Sequence, residues 1–242
     1  MRVPGAGELL QIWERGERQS LAERMLALLD AAGAPTDGGA LAALSLGRRD
    51  AQLMDLRERL FGPLLALVTD CPACGSVLES GLALADIRVA GDAAADCSVA
   101  LLDYHARFRL PASSDLLALT GDRQENARAI LLERCLLEAR APDGTAVHAR
   151  DLPQTVTAAA AAAMAAADPQ ADVELALACP ACGHGWPAAF DIAGFLWKEL
   201  HAWAKLMLGD VYELARAFGW AEADILALSP TRRQIYLDLA RQ

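Results

Sequence analysis

Aromatic side chains are scarce, at 5% of this 242-residue chain. With alanine and leucine abundant, that scarcity argues against a β-sandwich, whose strands draw on aromatic and β-branched residues, and favours packed helices. Positive charge is also short: 22 Lys and Arg face 32 Asp and Glu, a net charge of −10. An acidic surface repels a phosphate backbone, and no sizeable basic patch interrupts it, so nucleic-acid binding is not expected. Long apolar runs are missing as well. The longest uncharged one, residues 152–167, is mostly alanine and falls short of the roughly 20 residues a membrane-spanning helix needs. The first ten residues carry no basic segment followed by an apolar one, so no secretory signal is read and a cytoplasmic chain is expected. No serine or cysteine sits in a recognisable nucleophile setting, and His105, His148 and His201 are dispersed. A non-enzyme is expected.

What is present is a core. Hydrophobic residues make up 54% and charged ones 22%, which excludes disorder and collagen and allows one large domain or two small ones. A short helix is expected from Glu8 to Gly16. Ser20 and Glu23 form a capping box ahead of Leu21, Met25, Leu28 and Leu29, a helix stopped by Gly33 and Pro35. Asp50 is read as the cap of a helix carrying Leu53, Leu56, Leu60, Leu64 and Leu67, bent at Gly62-Pro63. Strands are predicted at 77–89 and 99–110 around the turn-rich stretch 91–96. A short helix capped by Ser113 or Ser114 and a longer one over 124–139 follow, then a turn at Pro142-Asp143-Gly144. Residues 155–167 form an alanine-rich helix with no legible role. Strands at 172–178 and 188–192 precede the longest helix. There Leu196, Leu200, Trp203, Met207, Val211, Leu214 and Phe218 make one apolar stripe of about 33 Å. Gly219 stops it, and Ser229-Pro230 opens a last helix with Ile235, Tyr236 and Leu239.

The sharpest chemical signal is a duplicated motif, Cys71-Pro72-Ala73-Cys74-Gly75 and Cys179-Pro180-Ala181-Cys182-Gly183. Two thiolates three positions apart on a tight knuckle can point at one cation, and the glycine lets the backbone curl so that its N–H groups face sulfur. Two knuckles supply Cys71, Cys74, Cys179 and Cys182, the four ligands of a structural zinc ion. The 104 residues between the pairs do not oppose a shared ion, since each doubling of a loop costs only about 0.6 kcal/mol. A redox pair would be a single motif opening a helix, disulfides are disfavoured without export, and four thiolates leave no open position for catalysis. Cys97 and Cys135 lack metal spacing and read as core residues. His184 can orient a sulfur but is not needed as a ligand.

Trp197, Trp203 and Trp220 are candidates for partner binding, against the plainer reading that they fill the core. Arg232, Arg233 and Arg241 read as a solvated helix face.

At Ala43-Leu44-Ser45-Leu46-Gly47-Arg48-Arg49-Asp50, with Leu56-Arg57 and Leu60-Phe61-Gly62, the chain resembles a known family. Further likeness lies at Phe108-Arg109-Leu110-Pro111, Asp115-Leu116, residues 131–135, and Asp191-Ile192-Ala193-Gly194-Phe195-Leu196-Trp197. It is similar to the T-even phage baseplate hub assembly family, as found in bacterial phage-tail-like contractile injection systems. The likeness implies assembly rather than chemistry: a structural or chaperone protein whose partners are other baseplate or hub proteins, in the cytoplasm or built into the tail-like particle. Phage members need not carry the cysteines, so the zinc reading rests on this sequence. The expected fold is α+β and mainly helical, a helical body with a split zinc ribbon formed by the two knuckles. Its parts are an N-terminal helical region (1–69), ribbon halves (70–91 and 171–192), an inserted α/β region (92–170) and a C-terminal helical region (193–242). The competing class is a zinc-ribbon nucleic-acid-binding or regulatory protein; a redox-switched holdase is a third.

Overall fold

The computed structural model describes residues 1–36, 39–89, 94–119 and 126–241. Helix outweighs strand, 54% to 19%, so the fold is α+β, as the aromatic-poor composition implies. The chain divides into two compact units, Met1–Pro35 with Ile192–Gln242, and Thr36–Asp191. Among the described residues, no helix is long and apolar enough to cross a membrane.

The first unit opens with α1 (Ala6–Gly16) and α2 (Leu21–Ala31). The predicted capping box forms: the Ser20 hydroxyl accepts from the Glu23 N–H at 3.3 Å, and the Glu23 carboxylate accepts from the Ser20 N–H at 2.7 Å. Two free N–H groups of the first turn are thereby satisfied.

In the second unit, α3 (Leu46–Phe61) starts a turn earlier than an Asp50 cap requires. Ser45 is the cap, its hydroxyl accepting from the Arg48 N–H at 3.3 Å, and Asp50 lies buried inside the helix. Nor does α3 bend through Gly62-Pro63. It ends at Phe61 because Gly62 turns to φ +88°, and residues 64–67, expected as helix, enter strand β1 (Leu64–Asp70). β1 pairs with β2 (Val77–Ala83), antiparallel from Leu64↔Ala83 to Asp70↔Val77. The rest of the strand expected over 77–89 is instead the short helix α4 (Leu84–Ile87), which buries Leu84 and Ile87. The turn predicted at 91–96 begins outside the described residues.

The single strand expected over 99–110 folds into a hairpin of β3 (Asp96–Leu101) and β4 (Tyr104–Arg109). Its two-residue turn is Leu102-Asp103, both at positive φ (53° and 61°), without the Asn-Gly or Asp-Gly that announces such a turn. In α5 (Ser113–Leu117) neither serine caps the helix; the Asp115 carboxylate accepts from the Ala112 N–H instead. The helix expected over 124–139 opens outside the described residues. Its seen part, α6 (Ala127–Cys135), gives way to β5 (Leu136–Arg140), the third strand of a sheet ordered β3-β4-β5. Leu137, within the span expected as helix, lies on this strand and stands 48% exposed. The turn at Pro142-Asp143-Gly144 forms, Gly144 at φ +82°. The alanine-rich run is α7 (Gln154–Ala167), and the structure gives it a role. Val156, Ala160 and Met164, four apart, pack with Val99, Ala106 and Phe108 of the sheet, and short side chains let helix and strands approach closely. A second two-stranded hairpin follows, β6 (Glu174–Ala178) with β7 (Gly185–Ala189). β7 begins and ends three residues earlier than the strand expected at 188–192, and Ile192 begins a helix instead.

The chain then completes the first unit with α8 (Ile192–Phe218), α9 (Glu222–Leu226) and α10 (Pro230–Ala240). The stripe of α8 turns inward through Leu196, Leu200, Met207 and Leu214, while Phe218 is partly exposed. Gly219 stops α8 at φ +69°, and the Ser229 hydroxyl caps α10 by accepting from the Arg232 N–H. The last helix forms as expected, with its burial at a different leucine. Leu237 is buried, but Ile235 and Leu239 are 55% and 53% exposed.

Trp197 locks this unit together. Its ring lies against Gly16, where an added Cβ would come within 2.2 Å of Cη2. The Arg24 guanidinium sits 4.5 Å over the ring and donates to the Gly16 carbonyl at 2.7 Å. Gly16→Ala is expected to destabilise the protein by roughly 1–3 kcal/mol, since a large buried ring cannot step aside. An unchanged urea midpoint would refute that packing.

Candidate metal centre

Two hairpin tips build the site. β1 ends one residue before Cys71 and β2 begins after Ser76, while β6 ends one residue before Cys179 and β7 begins after His184. Each tip is thus a six-residue turn, Cys-Pro-Ala-Cys-Gly-Ser in one and Cys-Pro-Ala-Cys-Gly-His in the other. The two fold alike. The Cys71 N–H donates to the Ser76 carbonyl at 2.9 Å and the Gly75 N–H to the Cys71 carbonyl at 2.9 Å. Their counterparts are Cys179 to His184 at 2.8 Å and Gly183 to Cys179 at 2.9 Å. Gly75 and Gly183 take φ +72° and +73°, a conformation that glycine adopts without a Cβ penalty.

The four sulfurs of Cys71, Cys74, Cys179 and Cys182 lie within 4.8 Å of one another. Across the tips, Cys71 to Cys182 and Cys74 to Cys179 are each 3.7 Å. A tetrahedral ion with metal–sulfur bonds of about 2.3 Å has an edge of about 3.8 Å, so the set fits a single four-coordinate ion. It does not fit disulfides, whose sulfurs sit about 2.05 Å apart, and all four cysteines are free. A multi-iron cluster would spread its ligands over several irons and so farther apart. Cys71 and Cys179 are buried, and Cys74 and Cys182 are exposed.

The electrostatics of the cluster are those of sulfurs that a cation would stabilise as thiolates. A hydrogen bond from the Ser76 hydroxyl, aided by the Ser76 backbone, brings the Cys74 thiol down to about 6. The His184 backbone favours the Cys182 thiolate too, but competition with Cys74, burial, and the neighbours Cys179 and Cys71 push it up to about 12. The first thiolate thus hinders the next, and a central positive charge removes that conflict. With four sulfur ligands a tetrahedral ion has no position left for water, so the centre suits bracing rather than catalysis.

The remaining candidates fall elsewhere. The His184 ring stacks on Trp186 at 5.9 Å and 12° and is not in the ligand cluster. Cys135 is buried in the sheet-and-helix core with Cys97 packed against it, and burial pushes the Cys135 thiol up to about 11, as suits a packing residue. His148 faces Glu133 at 3.0 Å, and His201 Nδ1 accepts from the Trp13 indole at 3.0 Å. Trp197 is 7% exposed. Trp203 packs partly buried with Leu10, Ala204 and Met207. Trp220 stacks on Phe218 at 4.9 Å with Tyr236 edge-on at 4.7 Å. Of the terminal arginines, Arg232 and Arg241 are exposed, as a solvated face requires, and only Arg233 departs from that reading. Arg233 is buried and pairs with Asp210 at 3.3 Å, and Arg241 grips Glu213 with two bonds of 2.9 and 3.0 Å.

Sequence reasoning missed two buried acids, which no local spacing reveals. The Asp115 side chain is fully buried. It accepts two bonds from Arg109 (2.6 and 2.8 Å), one from Arg134 (2.9 Å) and one from the Ala112 N–H (3.0 Å). Burial alone would raise its pKa, but these donors hold it at about 2. Asp50 is the opposite case: burial outweighs the 2.8 Å bond from Arg49 and raises it to about 6.

Comparison of the chain with protein-family models, with curated proteins and with solved structures finds no match in any of the three.

Two measurements follow from these groups. Elemental analysis should find one metal ion per chain; Cys71→Ser or Cys179→Ser should lose it and loosen both hairpins, and Cys97→Ser should keep it. A metal-free wild type, or ions retained by both variants, would rule out the centre. The two acids should respond oppositely to pH. For Asp115, stability is present above its ordinary pKa of 3.8 and is lost as pH falls toward 2. For Asp50, the folded chain holds a proton that the unfolded chain has released, so stability is withdrawn as pH rises from 3.8 to about 6. Urea midpoints of wild type against Asp115→Asn and Asp50→Asn should diverge in those windows; parallel curves would contradict both assignments.

Proposed function

We propose that this chain is a non-enzymatic structural or assembly protein of the baseplate in a phage-tail-like contractile injection system, stiffened by a structural zinc ion. The observation that carries the bracing role is the meeting of two sulfur pairs, 104 residues apart in sequence, within 4.8 Å. Zinc suits this set because it accepts four thiolates tetrahedrally and has no redox chemistry of its own. On this reading the two hairpins are halves of a split zinc ribbon, within 70–91 and 171–192, and 92–170 is an insertion between them. A thiolate-bound ion supplies a strong tie between the two hairpins, and the long insertion adds little to the cost of closing it.

Support for the baseplate role is the likeness to the hub assembly family, and the residues carrying it sit in internal braces. The Gly47 N–H donates to the buried Asp168 carboxylate at 2.8 Å, Arg49 pairs with Asp50, and Arg109 clamps Asp115. Such a likeness speaks for a shared scaffold. Partners are then other baseplate or hub proteins, met in the cytoplasm or in the assembled particle. The nucleic-acid alternative loses ground because Arg233 and Arg241 are spent on Asp210 and Glu213 while the chain carries −10.

Deleting the gene in a host that makes such particles should leave sheaths and tubes without complete baseplates in electron micrographs. Normal particles from the deletion strain would defeat the proposal. Mass spectrometry of wild-type particles then separates a resident component, which is present, from a chaperone, which is not.

A further inference from the structure

We infer that the outward face of the β1–β2 hairpin docks an extended, cation-bearing segment of a partner protein; this rests on the assembly reading for the kind of partner. Side chains of a two-stranded sheet alternate between faces. In β1, Leu65 turns inward and is 1% exposed, while Leu64 and Val68 turn outward at 67% each. The register puts Ala83, Gly81, Glu79 and Val77 opposite Leu64, Ala66, Val68 and Asp70. Val77, 63% exposed, therefore joins Leu64, Ala66 and Val68 on one face. Soluble chains scatter exposed aliphatics singly; several aligned on one face mark an interaction site.

The occupant follows from shape and charge. Outward residues along β1 repeat every two positions, about 6.8 Å, which is the repeat of a second extended strand. Gly81 opposite Ala66 leaves a dip between Leu64 and Val68 into which a partner side chain fits. The charges on this face are Asp70 and Glu79, both negative, and no lysine or arginine shares it. A second copy would set these carboxylates, and another net charge of −10, against their like. A segment alternating apolar residues with lysine or arginine complements both features. The metal-bearing tip adjoins Asp70 and Val77, so the surface is held rigid before it meets its partner.

The test uses the metal-loaded full chain and two fluorescent synthetic peptides, one alternating valine with lysine and one alternating valine with glutamate. The lysine peptide should bind by anisotropy and the glutamate peptide should not. Val68→Asp should weaken binding about tenfold or more, and Val77→Asp should do the same. Leu206→Asp, at a site 72% exposed on α8, should leave binding unchanged. Each variant adds one negative charge, so diffuse attraction would tighten binding everywhere. Tighter or unaltered binding by both hairpin variants overturns the inference. So does a wild-type dimer that Val68→Asp splits in sedimentation, because a second copy would then own the face. Peptide failure alongside a baseplate defect in the deletion strain sinks this surface alone, whereas peptide binding without that defect sinks the baseplate role alone.

Discussion

Four sulfurs gathered within 4.8 Å of one another, from two hairpin tips far apart in sequence, are the constraint around which the second unit is read. Together they could hold one metal ion, and as thiolates they would repel one another without it. Two hairpins of unrelated strand sequence carry the same six-residue turn. Between them lies a complete three-stranded sheet covered by α7. Closing so long a ring costs only slowly more with length, so the insertion could grow into a packed layer of its own without undoing the tie. The two-stranded hairpins need that tie, since an isolated pair of strands is marginal in water.

Away from the cysteine cluster, buried polar braces hold the second unit. Asp168 accepts the Gly47 N–H, and Asp115 gathers Arg109, Arg134 and a backbone N–H. An added Cβ at Gly47 would come within 2.1 Å of the Asp168 carboxylate, so glycine is required there by contact rather than by backbone freedom. The Asp115 site is satisfied by its donors and gains from ionisation, whereas at Asp50 burial outweighs the pairing with Arg49 and favours the protonated form. The first unit is held differently, by apolar helix faces and by the Trp197 ring between Gly16 and Arg24.

The tryptophans, candidates in sequence for partner binding, are largely engaged within their own unit. Exposed apolar area sits elsewhere, on the β1–β2 hairpin and on the outer sides of α8 and α10.

Local signals were legible where a short stretch of chain settles the matter. Ser20 with Glu23, Ser229-Pro230, Gly219 and the Pro142-Asp143-Gly144 turn act through neighbours a few residues away, and the duplicated Cys-Pro-Ala-Cys-Gly motif fixes its own knuckle and ligands. Hidden were the features that depend on a distant partner. Residues 64–67 read as a continued helix because leucine spacing fits both forms, and pairing with β2 makes them strand. Residues 136–140 leave the helix pattern because β4 offers an open edge. Asp50 looks like a cap and is instead buried, and Arg233 finds Asp210 across a helix contact. The sequence alone determined which sulfurs can bind metal and where many elements stop, since those follow from dihedral limits and adjacent hydrogen bonds. Only the tertiary structure decided that the two knuckles meet and which strands pair. Those choices weigh burial and pairing between residues far apart in the chain, and no local spacing records them.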